Sequence, residues 1–276
     1  MCDGKEVPLT GPRSAYASMM TIDYLAHLRS DSARFVEVLV ECDPAQPVPT
    51  CSGWTADDLL WHLGEVQHSW GTIVRERLSD WEHYVQPARP GDRAGLLVFF
   101  HDASRMLAEA LESTSDDVAV WTWFEPDQTV GFVRRRQAHE ALIHRLDAEL
   151  TAGTVTGLDA DLATDGVLEA VEWMFGGAPS WASSVKDGPV GHLATTDTGA
   201  SWLVQVGHWS GVGPKSGTVY VDEAVLFLVD DGEPTFEVRG SARDLDAWIW
   251  NRPALAEVIR SGEVSDFEAL VRVGVQ

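Results

Sequence analysis

Arg134–Leu150 reads RRRQAHEALIHRLDAEL. The segment is rich in Ala, Leu, Arg and Glu and lacks Pro and Gly, so a helix is expected. Each residue of an α-helix advances about 100° around the axis. Glu140 and His144 are four apart and therefore share one face. His139 and His144 are five apart, about 140° of rotation, and do not converge on one ion. The HExxH zinc signature places its histidines at i and i+4. HEALIH is one residue too long, so a metalloprotease reading fails on spacing. What survives is one carboxylate and one imidazole on a common face. Alone, such a pair is more often a surface contact between turns than part of a metal site. A catalytic zinc needs three protein ligands and an open fourth position, so a third ligand has to come from elsewhere in the chain.

This helix, expected over Gly131–Thr151, is the fourth of four in the first half. Thr21–Cys42 carries apolar residues at helical spacing. DPAQPVPTCSG (Asp43–Gly53) is a Pro-rich break. A second helix is expected over Thr55–Ser79, with Thr55 as N-cap and Asp57 and Asp58 in the first turn to match the helix dipole. A third runs from Gly91 to Ser113, and a Trp-rich crossover, VWTWFEPDQTV, leads to the fourth. Four long helices with modest connections predict a four-helix bundle. The second half changes character. A helix over Asp161–Phe175 is followed by short β-like runs, GHLATTD, ASWLVQVGHW, GTVYVD, AVLFLVDD and PTFEVRG. Helices are expected again at SARDLDAWIWNRP, with Ser241 as cap, and at Ser265–Val273. The expected organisation is a leader at 1–20, a helical bundle at 21–155 and a smaller α+β domain at 156–276.

The second helix offers the missing ligand. His62 lies among Leu59, Leu60 and Leu63 and is expected to point into the bundle. A core histidine with a hydrogen-bond partner explains that position as well as a ligand does. Bundle helices can nevertheless project ligands from facing positions into one site. Helices two and four can thus bring His62, Glu140 and His144 together, and two imidazoles with a carboxylate suit zinc with one position open.

Composition narrows the partners. The chain has 276 residues, 45% of them hydrophobic, and a formal net charge of −23. That content supports a real core. The charge argues against nucleic acid or an anionic membrane as partner, since no basic field draws either in. Three cysteines, Cys2, Cys42 and Cys51, form no disulfide framework and no all-cysteine metal site. The first twenty residues lack the apolar core of a secretory signal, and no run of eighteen apolar residues appears. A cytoplasmic location is expected.

SGWTADDLLWHLGEV (Ser52–Val66) together with RRRQAHEALIHRLDAEL resembles the mycothiol-dependent maleylpyruvate isomerase family of actinobacteria. FEVRGSARDLDAWIWNR (Phe236–Arg252) is similar to that family's smaller C-terminal domain. The resemblance implies a DinB-like four-helix bundle followed by an α+β domain, and metal ligands at His62, Glu140 and His144. Asp147, at i+3 from His144, could accept that ring's free N–H; a salt bridge to a nearby arginine is the other reading. The resemblance further implies mycothiol, a small sugar thiol, as cosubstrate beside Zn2+ or another divalent metal. A thiol with a pKa of about 8.5 is mostly protonated at neutral pH and is deprotonated on zinc, so no protein cysteine is needed. An activated thiolate serves cis–trans isomerisation of a small electrophile such as maleylpyruvate, S-transfer, or thiol exchange, and the site alone does not choose among them. An arginine of the C-terminal domain is expected to handle substrate carboxylates. Arg239, Arg243 and Arg252 are candidates, with Arg252 preferred; a helix-end cation satisfying carbonyls is its other reading. Two alternatives stand beside this enzyme: a non-catalytic metal- or small-molecule-binding module, and a thiol-free zinc hydrolase with Glu65 as base.

Overall fold

A computed structural model describes residues 22–274; the leader expected at 1–20 lies outside them. The fold is α+β and comprises two compact units, one spanning Ile22–Leu162 and the other running from Ala163 to the C-terminus.

The first unit is built on four helices, α1 (Tyr24–Val40), α2 (Ala56–Glu76), α3 (Arg93–Glu112) and α4 (Val130–Ala152). Their starts are set locally. Thr55 and Asp58 form a reciprocal capping box at α2, which satisfies two otherwise orphan backbone donors. Asp92 caps α3 and Thr129 caps α4, and α4 stops at Gly153, whose φ of +73° suits a left-handed cap. Side-chain pairs fix the helix directions. Tyr24 meets His139 near one end of α1 and Arg34 meets Glu149 ten residues on, so α1 and α4 run parallel. Asp57 pairs with Arg93 where α2 and α3 begin, and Gly71 lies against Leu107 fourteen residues later, so these two are also parallel. A Cβ at Gly71 would sit 3.1 Å from the Leu107 backbone; glycine there lets the two helices approach. His62 faces Glu140 while Trp70 faces Phe132, so α2 and α4 are antiparallel. The apolar stripes meet in a core that includes Phe35, Leu39, Leu59, Leu60, Leu63, Leu96 and Phe100, with Phe35 and Phe100 rings 5.1 Å apart.

The helix expected over Asp161–Phe175 is α5 (Ala160–Glu169), continued by a π-helical turn at Ala170–Met174. The second unit holds a six-stranded mixed sheet. Its strands are β1 (Ser183–Val185), β2 (Val190–Thr195), β3 (Ser201–Val212), β4 (Val219–Leu228), β5 (Phe236–Gly240) and β6 (Ile259–Gly262). The order is β1-β3-β2-β5-β6, with β4 also paired to β3. β2 and β5 are parallel and the other pairs antiparallel. Trp202, Val204 and Val206 alternate inward along β3, the period-two pattern of a half-buried strand. Two expected runs, GTVYVD and AVLFLVDD, form the single strand β4. The interruption is a bulge at which Asp222 takes φ +52° and its backbone N–H is held by Ser210 Oγ at 2.9 Å. β1 and β6 had no clear signal in the sequence: both are short, and every residue in them is exposed. α6 (Ala242–Ile249) begins at Ser241 as expected, and α7 (Ser265–Val273) packs Phe267 on Phe236 at 5.6 Å. No helix among the described residues is long and apolar enough to cross a membrane.

Candidate metal centre

α4 departs from an ordinary amphipathic helix. Arg136, His139, His144, Arg145, Asp147 and Glu149 are all buried. Buried charges are expensive unless paired, and this helix supplies partners for them. Arg145 Nε lies 3.0 Å from Asp31 Oδ1 and its Nη1 3.6 Å from Glu149 Oε1. Glu149 also receives Arg34 Nε at 2.9 Å and the Thr156 backbone N–H at 2.8 Å. This network ties α1 to the C-terminal turns of α4 and fixes the helix that carries the site.

One turn further in, His144 and Glu140 share a face, and His62 approaches them from α2. Glu140 Oε1 is 3.2 Å from His144 Nε2 and 3.6 Å from His62 Nε2. Ligand atoms of the three residues all lie within 4.8 Å of one another, and among the described residues this is the group of His, Cys, Asp and Glu side chains able to hold a metal ion. His139, as expected from its angle, faces elsewhere and packs on Tyr24.

The ligand-like atoms are oriented from behind. Asp147 is fully buried, and its Oδ2 lies 2.9 Å from His144 Nδ1. Of the two roles expected for Asp147, this is the ring-orienting one; it leaves Nε2 to face Glu140 and His62. Thr50 donates its hydroxyl to Asp147 Oδ1 at 2.5 Å, and Cys51 Sγ approaches Oδ2 at 3.9 Å. Both come from the Pro-rich break, in which the sequence offered no sign that the loop folds back under α4. Glu140 Oε2 accepts from Arg136 Nη2 at 2.6 Å. The arginine-rich run reads as either solvated or paired with acidic groups, and for Arg136 the paired reading holds, at i,i+4 spacing. Trp54 covers His62, with ring centroids 4.7 Å apart. Trp61 packs instead on Phe99, and Trp121 and Trp123 on Trp70 and Phe132, away from the histidines.

The electrostatics follow from these contacts. Burial alone would raise the Glu140 carboxyl; hydrogen bonds from His144 and His62 and the charge of Arg136 overcome it and hold the group well below the usual carboxylate range. Burial alone would lower His144, but Asp147 and Glu140 raise it to about 9. A His144 ring raised this far carries a proton on Nε2 as well as Nδ1 at neutral pH. A divalent metal would displace the Nε2 proton, and the cluster would then offer an ionised oxygen beside two imidazole nitrogens, a borderline donor set suited to zinc and to several other divalent metals. Glu65, one turn along α2 from His62, is half-buried, and burial pushes its carboxyl up. His68 is half-buried, stacked on Phe99 and 3.1 Å from the Tyr84 hydroxyl. In the second unit, Arg252 donates Nη1 to the Trp250 carbonyl at 2.6 Å, the helix-end contact anticipated as its alternative role. Arg243 lies 3.6 Å from Asp244.

Residues 25–149 match the mycothiol maleylpyruvate isomerase N-terminal domain. The match covers most of the helical unit. The resemblance read from the motifs of α2 and α4 is thereby borne out. No curated protein sequence matches the chain. Among solved structures, the chain is similar to crystal structures of the mycothiol-dependent maleylpyruvate isomerase and of a mutant of that enzyme. Each is 16% identical, with a TM-score of 0.55, over 90% of this chain and 96% of that one. At this identity the likeness speaks for the fold, which therefore extends beyond the isomerase N-terminal domain into the α+β unit.

Proposed function

We propose that the protein is a metal-dependent enzyme that activates a low-molecular-weight thiol, mycothiol by family resemblance, for use on a small electrophile. The observation that carries this reading is the convergence of His62, Glu140 and His144 within 4.8 Å, with Asp147 bonded to the far nitrogen of His144. Those three residues would hold the metal, and zinc is the preferred ion for the donor set. When bound, a metal of this kind supplies Lewis acidity that lowers the pKa of a coordinating thiol from about 8.5.

The chain's own residues do the rest. Asp147, held by Thr50, anchors the His144 ring through Nδ1, so that Nε2 is the atom that would give up its proton to a metal. Arg136 keeps Glu140 ionised inside the bundle. Trp54 screens one side of His62 from water. Neither Cys42 nor Cys51 belongs to the three-residue cluster, so the reacting sulfur comes from the cosubstrate. Isomerisation then requires that sulfur to add to a conjugated C=C bond, rotation about the resulting single bond, and loss of the same thiol. S-transfer keeps the new C–S bond, and thiol exchange breaks a different S–S or C–S bond. Arg252 is proposed to meet a substrate carboxylate, since its planar guanidinium suits bidentate recognition. Arg252→Lys is then expected to raise KM for a carboxylate substrate more than it lowers kcat.

The test has two stages. Metal analysis of the purified protein is expected to give one ion per chain, lost in His144→Ala. Turnover of maleylpyruvate and of other small electrophiles is then compared with and without mycothiol. Metal retained with no thiol dependence would point to the thiol-free hydrolase, in which Glu65 acts as base. No metal after reconstitution with zinc would overturn the enzyme reading altogether.

A further inference from the structure

Resting on the metal reading of the triad, we propose that Arg136 is a positioning residue that limits Glu140 to one ligand oxygen. The two oxygens of Glu140 are already divided. Oε1 faces both imidazoles, at 3.2 Å from His144 Nε2 and 3.6 Å from His62 Nε2. Oε2 is turned away and accepts from Arg136 Nη2 at 2.6 Å, the length of a charge-assisted bond.

The helix enforces this division. Side chains on a helix lean toward its N-terminus, so Glu140 reaches back over the turn that carries Arg136, four residues earlier. The Arg136 side chain is only 5% exposed, and a charge-assisted bond of this length is stronger inside the bundle than it would be in water. Glu140 is therefore not free to swing both oxygens toward its neighbours. A carboxylate without such a restraint can bind a cation through either one or two oxygens. A second oxygen would fill a position that an exogenous thiol needs. Arg136 thus protects the open position, and by a means separate from holding the metal itself.

Removing Arg136 should leave metal stoichiometry intact and change the coordination number. The probe is cobalt(II) loaded into the full-length protein, whose visible absorption weakens as coordination rises above four. Wild type and Arg136→Lys, which retains a cation at this position, are expected to share one spectrum. Arg136→Gln is expected to bind one cobalt per chain with a loss of visible-band intensity and a shifted maximum. An Arg136→Gln spectrum superimposable on wild type would overturn the role of Arg136. A spectrum that persists in His144→Ala would instead overturn the metal reading of the triad, so the two failures are distinguishable. Should Arg136→Gln fail to fold, a crystal structure of the zinc-loaded wild type decides the matter. Glu140 Oε2 on Arg136 and off the metal supports the proposal; both oxygens on the metal refute it.

Discussion

Asp147 provides the sharpest test of how the centre is held. It is fully buried, and one carboxylate receives both His144 Nδ1 at 2.9 Å and Thr50 Oγ1 at 2.5 Å. Its charge does two separable things. On the metal reading it would orient the His144 ring with Nε2 toward Glu140 and His62, and make that ring a stronger donor. Asp147→Asn keeps an acceptor oxygen for the Nδ1 proton but removes the charge. Asp147→Ala removes both, and also strands the Thr50 hydroxyl. Loss of such a partner costs about 10- to 100-fold in metal affinity, which at about 1.4 kcal/mol per factor of ten is roughly 1.4–2.8 kcal/mol. Asp147→Asn is expected near the lower bound and Asp147→Ala near the upper. Thr50→Val, which touches the ring only through Asp147, should fall below both. Competition against a chromogenic zinc chelator measures each, with circular dichroism and urea unfolding to separate affinity from folding. If Asp147→Ala folds and binds zinc within about threefold of wild type, less than 1 kcal/mol, the orienting role assigned to Asp147 is wrong.

Other expectations follow from the same contacts. Arg145→Met strips Asp31 and Glu149 of a buried cation; breaking a buried pair from one side costs about 3–5 kcal/mol, and an unchanged urea midpoint would refute the network's role. Adding Asp31→Asn should recover part of that loss. Asp244 is buried and accepts from the backbone N–H groups of Leu255 and Ala256 at 2.8 and 3.1 Å. Burial acts to raise its carboxyl, but these bonds and Ser241 lower it below the ordinary value. A depressed carboxylate contributes stability above its unfolded pKa of about 3.9, and that contribution is lost as pH falls through the lower folded value. Asp244→Ala should therefore cost about 1–3 kcal/mol at neutral pH, with the difference from wild type shrinking below about pH 4. A pH-independent difference would show that the side chain acts by packing and not by charge.

Where the sequence was legible, local and global preferences agreed. Thr55, with Asp58 three residues on, announces the start of α2, and Ser241 announces α6. The i,i+4 spacing of Glu140 and His144 survives intact because it depends only on helix geometry. His62, the proposed third ligand, was legible as a polar residue among leucines, but its meeting with α4 rests on helix directions that no local pattern encodes. The less legible parts share one physical cause. Thr50 reaches Asp147 across ninety-seven residues, and a Pro-rich loop gives no periodicity from which to read a long-range contact. β4 looked like two strands because a bulge at Asp222 interrupts its alternation, and a bulge is recognisable only against its partner strand. α4 misleads in the opposite direction. Its arginines and glutamates look like a solvated or surface-paired face, whereas Arg136, Arg145 and Glu149 are buried, Arg136 against Glu140 and Arg145 against Glu149. A helix that buries this much charge conflicts with the simplest pattern rule, and such conflicts concentrate where function demands them. Here the demand is specific. On the metal reading, an ionised oxygen and two imidazoles have to be held inside a bundle, and the buried counter-charges around them stabilise that arrangement.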